Sequence, residues 1–228
     1  MNLGKSLLWI AGIVVFFKLI YKFTMSKVLS FFLLFFCFSI SNAQNSDIDL
    51  LKKINGNRNT NIESGMVGIT NSVMPISIGT PIIIYAVGLI EKDSLTKKKA
   101  LFIGETFAAS AFVTLVLKSA TKRDRPYVTY PEIDNVVEES SYSFPSGHTS
   151  LAFATATSLS MAYPKWYVIA PSFLWAGAVG YSRMYLGVHY PTDVLAGAIV
   201  GSGSAFLCYK LNKWINKKRA PHQKKLWE

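Results

Sequence analysis

The chain has 228 residues, half of them hydrophobic, 14% aromatic and only 16% charged, a composition too oily for an intrinsically disordered protein. Its formal charge of +11 would point to nucleic acid if it were spread over a soluble surface. Seven of the 24 basic residues instead fall in the last nineteen positions and four more between Lys92 and Lys99, both beside apolar runs, so the expected partner is a bilayer and no nucleic acid.

Apolar stretches fall near 1–21, 28–41, 66–90, 100–117, 148–163, 166–181 and 192–209. Several approach the ~20 residues that cross a ~30 Å hydrocarbon core. The expected fold class is all-α, a membrane-embedded bundle of about five to six transmembrane helices. Residues 25–44 read as a secretory signal, with Lys27 before an apolar core and Ser41-Asn42-Ala43 as a small-residue cleavage site. Residues 1–24 form a second apolar run holding Lys18 and Lys22 at its far end. If both runs crossed, these lysines and the Lys97–Lys99 loop would all face outside, against the positive-inside rule. Met25 as the functional start, or a non-spanning 1–24, removes the conflict.

The expected organisation is a signal peptide or N-terminal membrane segment over 1–43, an extracytoplasmic loop over 44–65, the bundle over 66–210 and a basic cytoplasmic tail over 211–228. Within the loop, Ile48, Leu50, Leu51 and Ile54 predict a short interfacial helix from Asp47 to Ile54. The run 148–163 is short and rich in Ser and Thr; composition alone fits a buried helix, and its setting among apolar runs favours a lipid-spanning one. The connection 119–147 carries Glu132, Asp134, Glu138, Glu139 and three prolines, and reads as an extramembrane loop. Cys37 and Cys208 sit inside apolar segments and build neither a disulfide framework nor a zinc site.

Three polar clusters fall at one end of this bundle. Lys118 and Arg125 are seven residues apart, about two helical turns, so they would share a face if the helix continued, although Pro126 biases Arg125 away from helix. Pro145-Ser146-Gly147-His148 precedes an apolar run, where a helix N-terminus offers free backbone N–H groups to an anion. Ser182-Arg183 is followed by His189 and, four residues on, Asp193 in the opening turn of another helix begun by Pro191. A carboxylate so placed accepts one imidazole N–H and leaves the other nitrogen as a nucleophile. Taken singly, the clusters also read as a snorkelling lysine, a helix cap and a capping aspartate.

Together they resemble the type 2 phosphatidic acid phosphatase family, whose signature runs K-x6-RP, PSGH and SR-x5-H-x3-D. Every defined position is present, at Lys118, Arg125, Pro126, Pro145, Ser146, Gly147, His148, Ser182, Arg183, His189 and Asp193. The resemblance implies a metal-independent phosphohydrolase with no cofactor. The positive-inside rule, which puts the Lys92–Lys99 loop and the basic tail in the cytoplasm, sets it in the inner membrane with its site at the outer, periplasmic end. His189 would attack phosphorus, Asp193 would orient it, and His148 would serve as general acid and base. Lys118, Arg125, Arg183, Ser146 and Gly147 would hold the phosphoryl oxygens. The substrate would be a lipid phosphate: phosphatidic acid, phosphatidylglycerophosphate, a polyprenyl diphosphate or a lipid A phosphate. A lipid phosphotransferase, or a membrane protein that only binds or transports anionic lipids, stays open. Glu105, within 100–117, lies about 20 Å along the helix from Lys118 and is expected to pair with Lys97–Lys99. His222 is expected in solvent.

Overall fold

In the computed structural model the described residues are 46–219, with side chains described through 215. The signal segment, the Met25 alternative, His222 and the end of the tail lie outside them. Every regular element among the described residues is helical. Helix α1 covers 46–56, and a 3-10 turn at Thr60–Ile62 leads into α2 (Glu63–Asn71) and α3 (Val73–Ile90). Then follow α4 (Ser94–Thr121), α5 (Pro126–Thr129), α6 (Gly147–Ala162), α7 (Trp166–Tyr185) and α8 (Pro191–Arg219).

The caps explain the boundaries. Asp93 accepts from the amides of Leu95 and Thr96 and starts α4, whose 28 residues span roughly 42 Å at ~1.5 Å per residue. Lys122 takes a left-handed φ of 47° and ends it, and Arg125 is extended (φ −76°, ψ 155°) before Pro126. Lys118 and Arg125 therefore do not share a helical face; a turn, not a continuous helix, brings them together.

Among the described residues three stretches are long and apolar enough to cross a membrane: Thr60–Ile90, Ser94–Thr129 and Pro191–Ile215. Their outward faces suit lipid, with Ile83 64%, Phe112 67% and Ile199 64% exposed. Helix α6 behaves differently. It packs against α4, α7 and α8, and most of its residues are buried. Its hydroxyls bond outward to its neighbours: Ser150 to Ser110 (2.7 Å) and Thr114 (2.9 Å) on α4, Thr155 to Ser77 on α3 and Thr157 to Ser202 on α8. Small residues and hydroxyl pairs replace the hydrophobic drive that lipid removes between helices. Helix α6 is thus a buried helix packed among the other helices of the bundle.

Gly197 and Gly201 set how closely α8 approaches α6. A Cβ on Gly201 would stand 2.2 Å from the Ser150 carbonyl oxygen, and one on Gly197 would stand 2.7 Å from that of Ser146. This contact fixes the start of α8, where Asp193 sits, against the start of α6. An apolar cluster of Val73, Ala152, Ala156, Ala176 and Val179 closes α3, α6 and α7 together.

Two expectations need adjustment. Only part of the apolar side of α1 is free for an interface, because Ile48 and Leu51 are buried against Ile133 and Tyr190 of the protein while Leu50 stays 48% exposed. Glu105 accepts from the Asn212 side chain on α8 at 2.7 Å, so its partner among the described residues is an amide across the helix pair and not one of Lys97–Lys99, which belong to the opening turns of α4.

Candidate functional site

The starts of α3 and α6, the end of α4 with the turn after it, the 130–146 loop and the link between α7 and α8 meet around a cavity of about 220 Å³. Lys118, Arg125, Glu139, Ser141, Gly147, His148 and His189 line it, and Met74 and Leu151 form an apolar wall. Ser146 caps α6: its hydroxyl faces Thr149 Oγ1 at 2.9 Å and accepts from the Thr149 amide at 3.5 Å. It is fully buried, so it shapes the helix start while Gly147 and His148 reach the cavity. The Lys118 stem lies beside Gly147, and its ammonium donates to the carbonyls of Tyr142 and Ser143.

His189 is 1% exposed. Its Nδ1 faces Asp193 Oδ2 and Ser143 Oγ, each at 3.4 Å, while its Nε2 faces Arg125 Nη1 at 3.4 Å. A guanidinium can only donate, so Nε2 carries the lone pair and Nδ1 the proton. Burial pushes the imidazole down to about 3, against the pull of Asp193 and helped by Arg183 and Arg125. The ring is therefore neutral at ordinary pH, with its free nitrogen turned toward the cations.

Asp193 is fixed on both oxygens. Oδ1 accepts from Arg123 Nη1 at 2.6 Å, and Oδ2 accepts from Ser143 Oγ and the Tyr190 amide. Arg123 also donates to Thr192 and to Asp47 of α1, and stacks over the Tyr190 ring at 3.8 Å. Asp47 in turn accepts from the Thr192 amide and hydroxyl. This buried network positions the histidine's partner from behind.

Arg183 is almost wholly buried. It donates to Thr70 at 2.7 Å and pairs with Glu139, while its Nε has no partner. Glu139 also faces Arg125 Nη2 at 3.5 Å and His148 Nδ1 at 4.0 Å. Burial disfavours its charge, but Arg183 and then Arg125 outweigh that and hold the carboxyl below its usual range.

All eight residues singled out from sequence thus gather at one end of the bundle, five of them on the cavity wall. Arg183 reaches the cavity's Glu139, Asp193 stands behind His189, and Ser146 stands beneath Gly147. The sequence reading missed Glu139, Arg123, Asp47 and Ser143. Charge balance was the available signal, because three buried cations at one bundle end require acids, and the 119–147 connection holds them. Among the described residues no three His, Cys, Asp or Glu side chains gather as a metal-ligand set.

The arrangement is that of a membrane helical bundle with an anion cage and a neutral, carboxylate-oriented histidine. The chain belongs to the PAP2 superfamily, which matches over residues 99–217. An undecaprenyl-diphosphatase of Sulfolobus acidocaldarius is 34% identical over 119 residues, covering 50% of this chain and 57% of that protein. The chain thus spans little more than half of that relative. The crystal structure of a PAP2-type phosphatidylglycerolphosphate phosphatase from Bacillus subtilis aligns with TM-score 0.65 and 29% identity, over 84% of this chain and 98% of the other. Aquifex aeolicus LpxE aligns with TM-score 0.64 and 25% identity, over 72% and 94%. Apolar helices and membrane relatives together make this a multi-pass membrane protein.

Proposed function

We propose that the protein is an integral-membrane phosphatase that hydrolyses a lipid phosphate or diphosphate without a metal ion, through a phosphohistidine on His189. The observation that carries this reading is the orientation of His189, whose Nδ1 is held by Asp193 while Nε2 faces Arg125 across the cavity. Binding alone needs cations and donors, not a nucleophile with its own carboxylate.

The Nε2 lone pair attacks phosphorus, the bond from phosphorus to the leaving oxygen breaks, and His148 gives that oxygen its proton. Burial and then Arg183 hold the His148 imidazole at about 4 before substrate binds, and the negative charge of the bound phosphoryl group raises it so that it enters the step protonated. His148 then takes a proton from water as the water oxygen attacks phosphorus. The phosphorus–nitrogen bond breaks, Nε2 recovers its lone pair and inorganic phosphate leaves. Lys118, Arg125, Arg183 and the Gly147 N–H hold the phosphoryl oxygens and stabilise the charge that spreads over them. Ser146 supports that N–H by capping α6.

A lipid fits better than a soluble ester, because Met74 and Leu151 give the cavity an apolar side and Met74 is 47% exposed. The head group enters the cage while the tail stays in the bilayer. The short 91–93 connection, which carries Lys92, and the opening turns of α4, which carry Lys97–Lys99, lie at the end of the α3–α4 pair remote from the site, so the expected Lys92–Lys99 loop is mostly helix. With that end cytoplasmic, the site faces the periplasm from the inner membrane. Undecaprenyl diphosphate, phosphatidylglycerophosphate and lipid A phosphates, the compounds for which relatives are named, define the substrate panel together with phosphatidic acid.

Phosphate release by detergent-purified protein, assayed with EDTA on this panel and on a short soluble ester, tests the reading. One lipid hydrolysed far faster than the ester is the expected result. No release from any substrate by folded protein would overturn it.

A further inference from the structure

We infer that Glu139 is the resident anion of the phosphoryl cage: its carboxylate holds the place that the substrate's phosphoryl group takes, and returns to it as inorganic phosphate leaves. This rests on the phosphoryl-binding reading of the cavity and adds a residue outside the family signature.

Three observations carry it. Glu139 lines the cavity together with Lys118, Arg125, Gly147, His148 and His189, the groups a phosphoryl oxygen would meet. Its carboxylate is paired with Arg183 and faces Arg125 and His148, so it already uses the donors assigned to phosphate. It cannot satisfy them all, since Arg183 Nε is buried without a partner. A phosphoryl dianion brings more charge and more acceptor oxygens than one carboxylate, and charge-assisted bonds to arginine favour it.

The backbone around Glu139 is held while its side chain can leave. Val136 N donates to the Leu186 carbonyl, Ser143 N to the Arg123 carbonyl, Arg125 Nε to the Ser141 carbonyl and Tyr127 Oη to that of Glu139 itself. The Glu139 side chain is 22% exposed, between exposed Glu138 and Ser140. Exchange therefore needs a side-chain rotation and no refolding of the loop. The carboxylate offsets part of the cage's positive charge when it is empty, competes with every incoming anion and lowers the affinity for the phosphate product.

Glu139→Gln keeps the shape and an acceptor for Arg183 but removes the charge. In the full chain, inorganic phosphate and orthovanadate should bind about tenfold tighter by calorimetry, the scale of one charge-assisted hydrogen bond. Phosphate should inhibit turnover at correspondingly lower concentration, and KM should fall. A merely structural role predicts the opposite sign, because loosened arginines would bind phosphate more weakly. Weakened or unchanged phosphate binding overturns the inference. Glu139→Asp retains the charge and should bind phosphate close to wild type; binding as tight as in Glu139→Gln would also overturn it. A wild-type structure with phosphate bound should show Glu139 away from Arg183, and phosphate bound with that pair intact would refute the exchange. Calorimetry needs no turnover. Tighter phosphate binding in a protein that hydrolyses no lipid would sink the phosphatase reading alone, and active enzyme with unaltered phosphate binding would sink this one alone.

Discussion

Arg123→Ala separates positioning from substrate binding. Arg123 does not line the cavity, yet it bridges Asp193 (2.6 Å) and Asp47 (2.9 Å) and stacks on Tyr190. Removing one partner of a fully buried ion pair costs about 3–5 kcal/mol. The Arg123 side chain is 28% exposed and both acids keep other donors, which lowers the expected loss to about 2–3 kcal/mol. Asp193 then turns more freely, and His189 loses its fixed tautomer and direction. Groups that orient a catalytic residue from behind typically contribute about 10- to 100-fold in activity. The expected outcome is a kcat lower by that factor with KM unchanged, read from steady-state hydrolysis, and a lower melting temperature in detergent. Arg123→Lys should recover only part of kcat, because one ammonium does not span two carboxylates. An unchanged kcat in a measurably destabilised protein, or a rise in KM alone, would refute the reasoning.

Gly201→Ala drives a methyl into the Ser150 carbonyl and should destabilise by about 1–3 kcal/mol, with activity falling as α8 shifts. Gly203→Ala, which meets nothing within 4 Å, should be neutral in the same thermal melts. The pH dependence has a definite sign. His189 is depressed from 6.5 to about 3, so its contribution to stability is complete above pH 6.5 and drains away as pH falls toward 3. Glu139 adds a loss in the same direction below its ordinary value near 4.5. Melting temperatures from pH 7.5 to 4 should fall, and should fall less in His189→Gln; an equal slope in the two proteins would remove His189 as the cause. His189→Ala should abolish lipid hydrolysis while leaving the folded yield intact, and substantial retained activity would take the nucleophile role from it.

The motif residues could be read from sequence because the chemistry fixes residue types at short spacings: a capped helix start at Ser146, and a carboxylate one turn after His189. The groups behind them could not, because their partners meet only in the fold. Arg123 and Asp47 stand 76 residues apart, and Glu139 reaches Arg183 across 44. Amphipathic periodicity marked α1 but does not tell a membrane surface from a protein surface; buried Asp47, bonded to Arg123 and Thr192, decides for protein on its side of the helix. For α6, apolar content did not distinguish lipid from neighbouring helices as the surroundings. Its hydroxyls, which bond to α3, α4 and α8, do.

The most direct test of the central proposal is to quench the enzyme during turnover of a lipid labelled in its phosphoryl group and to map the label. The expected product is an acid-labile, base-stable phosphoramidate on His189 Nε2, lost in His189→Ala. Label on another residue, or none despite continuing turnover and rapid quenching, would contradict a His189 phosphoenzyme.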